Sequence, residues 1–491
     1  MPAQTLCGKV SKFFVLIFKK DLVDCIFCRD IPGNTGRINC LNTEIMHHME
    51  KIHLSKGFTL KLAGLPDTSV IRLPRPATVG VSALDIPHIR PKLLVKEKDR
   101  VKTGTPLFCD KRDTSIHYVS PGTGTVKKIV FGRRRRLLEV VISLDAMDTF
   151  VEFDPVSPKD LSQIPSGELA DHLKKGGLWQ TLRQLPARDT ADSAATPPLI
   201  IVCLNGNDIF SPHPGLVLQD KIRQFEFGLS VLKRFCDRVI VAARTNSLAL
   251  LAPAKHLITL AVPDIYPAWD PGTILYHIKK EAKENAAWYI GAEGLVRMAQ
   301  FLETGRYPVD TMVTVTRGND KKPHMLTRQG SPVRLLAGNF PPGSLITTGR
   351  LNGRIKDPDA HLGFFENTLN ILPDAQGDEM FGFMRPGLNK PTVSKAFLSC
   401  LFNREVQLDG TLHGEERACI NCSYCENICP VDLMPNFIMK ALVGDDIEEA
   451  LELGLLDCSR CGLCSFTCPS KIELTRILSR GMDAHHKDKQ G

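Results

Sequence analysis

Between residues 419 and 468 the chain repeats one cysteine pattern. The first copy is Cys419-x2-Cys422-x2-Cys425-x3-Cys429-Pro430, and the second is Cys458-x2-Cys461-x2-Cys464-x3-Cys468-Pro469. Three thiolates three residues apart can wrap a short loop around one iron–sulfur cube, each reaching a different iron corner. The fourth cysteine lies just past that loop, where its proline redirects the chain. Zinc favours paired hooks and tetrahedral closure. Four evenly run cysteines followed by proline, twice over, do not fit that chemistry. The expected cofactors are two [4Fe–4S] clusters, with all eight cysteines as iron ligands.

The other eight of the 16 cysteines carry no such pattern. Cys7, Cys25, Cys28 and Cys40 fall in the first 48 residues. Cys25-x2-Cys28 has no second hook and reads as chance. Cys109, Cys203, Cys236 and Cys400 stand singly and are expected to be buried small hydrophobes. A disulfide scaffold is excluded by length, since 491 residues bury real cores without staples. No stretch reaches the ~18–20 apolar residues of a membrane span. The apolar run Phe13–Phe18 is too short even for the core of a signal peptide. The compartment is therefore expected to be reducing. A net charge of +8 from 62 Lys+Arg and 54 Asp+Glu is mild and dispersed, and no nucleic-acid partner is expected.

The chain reads as a multidomain α/β and α+β protein. Residues 1–48 lack sustained periodicity and are expected to be a non-native or disordered extension, with the natural start at Met49 or Met46. Residues 49–150 alternate short apolar strands with Gly and Pro turns and are expected to form a β domain. Its phrases LLVKEKDRVKTGTPLF and VSPGTGTVKKIV resemble the half-repeats of lipoyl- and biotinyl-type barrel-sandwich domains. A carrier of that kind would present a modifiable Lys near Asp110-Lys111, but Arg112 follows where a small residue is usual, so a cofactor-free barrel is expected. Arg133–Arg136 reads as a solvated run, with an anionic lipid or acidic protein surface as the functional counterpart.

Within residues 151–304, 198–208 reads as a strand, 237–252 as a strand followed by a helix, and 256–264 as a strand after which PGTILYHIKKEA continues into a helix. That alternation predicts a Rossmann-like parallel α/β domain. It contains neither G-x-G-x-x-G nor Walker A. Its one glycine pair, Gly176-Gly177, is followed at once by Leu178 and Trp179, too bulky for a phosphate cradle. FMN is not expected on this chain. Residues 305–375 alternate strands and turns around MVTVTRGN, VRLLAG and SLITTGRLNGRI and are expected to be a small β-grasp-like module. A helical connector, 376–410, leads into a helical dicluster domain, 411–491.

Read together, KIHLSKGFTLKLAGLP, VGVSALDIPHIRPKLLVKEKDRVKTGTPLFCDKRD, LKKGGLWQTLRQLP and MFGFMRPGLNKPTVSKAF resemble the NqrA subunit of the Na+-translocating NADH:quinone reductase, in the family's order. The tail resembles the dicluster ferredoxin segment of RnfC, which belongs to the Rnf ferredoxin:NAD complex. In two-cluster ferredoxins the fourth cysteine ligates the other cluster. The resemblance implies one cluster on Cys419, Cys422, Cys425 and Cys468 and the other on Cys458, Cys461, Cys464 and Cys429. It also implies a peripheral subunit on the cytoplasmic side of the inner membrane. It would dock on membrane subunits of an Nqr/Rnf-type complex, with a quinone at the complex, and would act in an NADH:quinone reductase without being catalytic alone. Two other functions are consistent with the same residues: an RnfC-like electron-input subunit, which would need flavin, and a non-redox carrier or scaffold.

Overall fold

The computed structural model describes residues 49–58, 61–318, 320, 322–349, 351, 353–374, 386–388, 393, 397–402, 405 and 415–490. The extension 1–48, with Cys7, Cys25, Cys28 and Cys40, and most of the connector 376–410 lie outside them. The chain divides into Met1–Met46 and His47–Gly491, and every element below belongs to the second unit.

The barrel-sandwich domain has two antiparallel sheets. One runs Thr78–Ser82, Leu137–Leu144, Gly124–Phe131, Arg100–Val101; the other runs Pro91–Leu93, Pro106–Asp110, His117–Val119. Val79, Val140 and Ile142 from the first meet Leu107, Phe108 and Tyr118 from the second in one buried core. Asp110 and Lys111 lie at the tip of the hairpin between Pro106–Asp110 and His117–Val119. Arg112 fastens that tip, since its guanidinium donates to Asp110 and to Asp189 of the next domain.

The α/β domain is a seven-stranded sheet ordered Glu50–Lys51, Leu260–Val262, Val239–Arg244, Ile200–Cys203, Trp288–Gly291, Arg183–Gln184, Asp189–Thr190. The first five strands are parallel and the last two antiparallel. The central strand IIVC is buried throughout, as a strand covered on both faces must be. The helix expected after Val239–Arg244 does not form. Two 3-10 turns, Thr245–Ser247 and Ala252–Leu257, replace it, because Pro253 removes a donor and clashes with the preceding turn.

A third sheet is ordered Ser344–Thr348, Thr368–Pro373, Asp310–Arg317, His324–Arg328, Val70–Arg72. It packs Val313, Val315 and Leu369 against the helix Val333–Ala337. That helix holds VRLLAG, which the strand-and-turn pattern placed among strands, and the short apolar run fits either period. Glu50–Lys51 and Val70–Arg72 thus leave the barrel range to complete two neighbouring sheets.

The C-terminal domain is helical: Tyr424–Asn427, Pro435–Val443, Ile447–Glu452, Leu463–Thr467 and Leu474–Lys489. Ile438, Leu455, Leu478 and Met482 form its core together with Cys425, Cys429 and Cys464. Among the described residues no helix is long and apolar enough to cross a membrane.

Candidate functional site

The two cysteine runs fold alike. In the first, Asn421, Ser423 and Asp432 adopt left-handed φ of 54°, 57° and 51°. At the same offsets in the second, Arg460, Gly462 and Lys471 show 53°, 90° and 59°. L-residues rarely adopt this conformation, and it recurs where backbone N–H groups converge on an anion. A short helix follows in each copy, holding Cys425 in one and Cys464 in the other. Gly462, and more weakly Asn421 and Asp432, are residue types that favour such a turn; Ser423, Arg460 and Lys471 give no signal.

Cys429 from the first run and Cys458, Cys461 and Cys464 from the second line one cavity. Leu433, Leu463 and Leu478 close its wall. The Arg460 N–H points to Cys458 Sγ at 3.4 Å, and Cys464 Sγ lies 3.2 Å from Thr475 Oγ1. Burial pushes the Cys429 and Cys461 thiols up to about 12 and the Cys464 thiol well above its usual value. In the empty protein these sulfurs hold their protons, so iron ligation must release them. Four soft sulfur donors around an apolar hollow fit the donor chemistry of a [4Fe–4S] group. Among the described residues no three His, Cys, Asp or Glu side chains close to the spacing of a single metal ion.

The remaining four cysteines include the exposed one of the eight. Cys422 is exposed, Cys419 and Cys468 are partly exposed, and Cys425 is buried. The ends of the two runs meet here. The Arg417 N–H donates to Ser470 O at 2.8 Å, and Ser470 Oγ to Ala418 O at 2.9 Å. Of the single cysteines, Cys109, Cys203 and Cys236 are buried as expected, but Cys400 is exposed, at the end of the 3-10 turn Leu398–Leu401.

The α/β domain grips the enclosed loop through residues that no motif singles out. Arg188 donates to Ser459 O at 2.8 Å and pairs with Asp270 at 2.5 Å. Tyr266 Oη donates to Cys461 O at 2.6 Å, His277 reaches Pro430 O at 2.8 Å, and Lys279 pairs with Asp457. A larger polar hollow opens at the carboxyl ends of Ile200–Cys203 and Trp288–Gly291, and Arg460 borders it. Gly176-Gly177 faces elsewhere. A Cβ on Gly176 would meet the Phe301 ring at 2.1 Å, and Leu178 and Trp179 are fully buried. The pair serves packing.

Known proteins match along the same divisions. Residues 52–145 match the NqrA N-terminal barrel-sandwich hybrid domain, 164–307 the NqrA second alpha/beta domain, and 418–472 the 4Fe-4S dicluster domain. Curated relatives named as the NqrA component of Na(+)-translocating NADH-quinone reductase include one from Marinomonas sp. (strain MWYL1), 28% identical over 87% of this chain and 97% of its own length. Others come from Saccharophagus degradans (28%, covering 89% and 100%) and Serratia proteamaculans (28%, covering 87% and 97%). The solved NAD+-reducing [NiFe]-hydrogenase in its H2-reduced state is 11% identical over 69% of this chain and 66% of its own, at a TM-score of 0.32, which carries nothing over. The chain is thus similar to NqrA through its first two domains, each of which matches an NqrA domain, and behind them lies a match to a 4Fe–4S dicluster domain.

Proposed function

We propose that the chain is a peripheral electron-transfer subunit of a Na+-translocating NADH:quinone reductase and relays electrons through two [4Fe–4S] clusters. The observation that carries this is the shared cavity, where one thiol from the first run joins three from the second. When bound, such a cluster supplies one-electron transfer at a potential set by its surroundings. On this reading Cys429, Cys458, Cys461 and Cys464 hold the enclosed cluster, and Cys419, Cys422, Cys425 and Cys468 the outer one. Leu433, Leu463 and Leu478 exclude water from the enclosed site. The Arg460 N–H offers a hydrogen bond to sulfur, which stabilises negative charge there. Arg188, Tyr266 and His277 fix the loops against the sheet. The relatives' names supply the reaction: NADH as donor, quinone as acceptor, sodium as the transported ion. The proposed partners are the membrane subunits, on the cytoplasmic face, and no flavin is assigned to this chain. The test uses membranes holding the assembled complex. Cys422→Ala and Cys461→Ala should each abolish NADH-driven quinone reduction while the complex still assembles. Full turnover with both clusters lost would contradict the relay.

A further inference from the structure

The two cluster sites differ in what surrounds them. The four thiols of the enclosed site are held against the α/β domain, whereas Cys422 lies at the surface. Beside it the helix Pro435–Val443 buries Ile438, Met439 and Ala441 inward. Its outward stripe is apolar as well: Met434 is 37% exposed, Phe437 45% and Val443 70%. Lys440 ties that stripe to the cysteine loop. Its Nζ lies 5.1 Å from the Phe437 ring centre and donates to Asn421 Oδ1 at 2.9 Å. Ile420, in the same loop, is 68% exposed. An apolar stripe on the solvent face of a helix whose other face already fills a core calls for a partner.

Charge specifies the kind of partner. Residues 415–457 contain ten Asp and Glu against only Arg417 and Lys440, a net of −8 within a chain of net +8. Residues 458–490, which carry the enclosed site's own run, hold six Lys and Arg against three Asp and Glu, a net of +3. Glu415 and Glu416, just before the exposed loop, and Asp445 and Asp446, just after the helix, are exposed. Ion pairs from the α/β side reach Asp432, through Lys56, and Asp457, through Lys279. The apolar stripe thus lies in the acidic half of the domain, in the arrangement of an apolar interface centre with a charged rim.

We propose that the face built by Ile420, Met434, Phe437 and Val443 is the docking surface for a redox partner protein that is basic around an apolar centre. It rests on the two-cluster reading, since the surface flanks the outer cysteine set. Acidic charge would steer the encounter, and the apolar stripe would set how long the complex lasts.

The test uses the full chain with ferricytochrome c, a small basic haem protein, as the probe, and calorimetry as the readout. Binding should weaken steeply as salt rises. Phe437→Ser and Ile420→Ser should each lower affinity about tenfold or more, the size of an interface hot spot. The pair Glu415→Gln, Glu416→Gln should weaken binding at low salt and flatten its salt dependence. Asp359→Asn, on the remote third-sheet domain, should change nothing. No binding, or binding indifferent to Phe437→Ser and Ile420→Ser, would overturn the docking surface. Iron and acid-labile sulfide measured on the same samples separate the two ideas. Intact iron without mapped binding removes only the docking surface, whereas absent iron in the parent protein removes the cluster reading.

Discussion

Asp148 holds three stretches of chain together with one carboxylate. Arg75 reaches it at 2.7 Å and Arg328 of the third sheet at 2.6 Å, and the Thr123 N–H donates at 3.1 Å. Burial opposes its charge, yet the two guanidiniums hold it well below the usual carboxylate range. Asp148→Asn leaves both arginines without their countercharge and should lower stability by about 2–3 kcal/mol, read as a drop in the urea midpoint. His324 makes the opposite kind of contribution. It is buried between strands, with Nδ1 2.9 Å from Thr314 Oγ1, and burial lowers its pKa below 6.5. His213 acts in the same direction and Asp67 against it. A lowered histidine pKa means that the unfolded chain takes up the proton first. This part of the stability is complete above pH 6.5 and is lost as pH falls below it. Between pH 7.5 and pH 5.5 the denaturation midpoint should fall less in His324→Gln than in the parent, and an equal fall in both would contradict the assignment.

At the scale of elements, the cysteine repeat was legible because its information is local: spacing, proline and repetition all lie within 50 residues. The fastening residues were not. Arg188, Tyr266 and His277 stand far from the runs in sequence, and the sheet alone brings them to Ser459, Cys461 and Pro430. The left-handed backbone at Ser423 and Arg460 was equally hidden, since neither is a residue type that favours it. Two secondary-structure expectations failed for local reasons, Pro253 after Val239–Arg244 and the ambiguous run VRLLAG. Crossing of the two runs belongs to this scale too. If Cys468 completes the site of Cys419, Cys422 and Cys425, then Cys468→Ala should give an EPR spectrum of the reduced protein like that of Cys422→Ala. A spectrum like that of Cys461→Ala would refute the crossing and leave the cluster count untouched. Since ligation contributes to the domain's folding free energy, the comparison must be specific to each cluster.

Across the whole molecule, the barrel-sandwich and α/β domains hold the dicluster domain. The barrel tip at Arg112 and the C-terminal helix, through His486, converge on Asp189 at the edge of the large sheet. One strand of the 49–150 range completes the α/β sheet and another the third sheet, which no strand pattern read along the chain could assign. This scaffold holds the loop of Ser459 and Cys461 against the α/β domain and leaves Cys422 exposed. The claim on which the account depends is that both sets carry a four-iron cluster. The most direct measurement is iron and acid-labile sulfide on the anaerobically reconstituted full chain, with EPR of the reduced sample. Two [4Fe–4S] clusters require about eight iron and eight sulfide per chain and the signals of two interacting reduced clusters. Zinc in place of iron, or iron without sulfide, would contradict it.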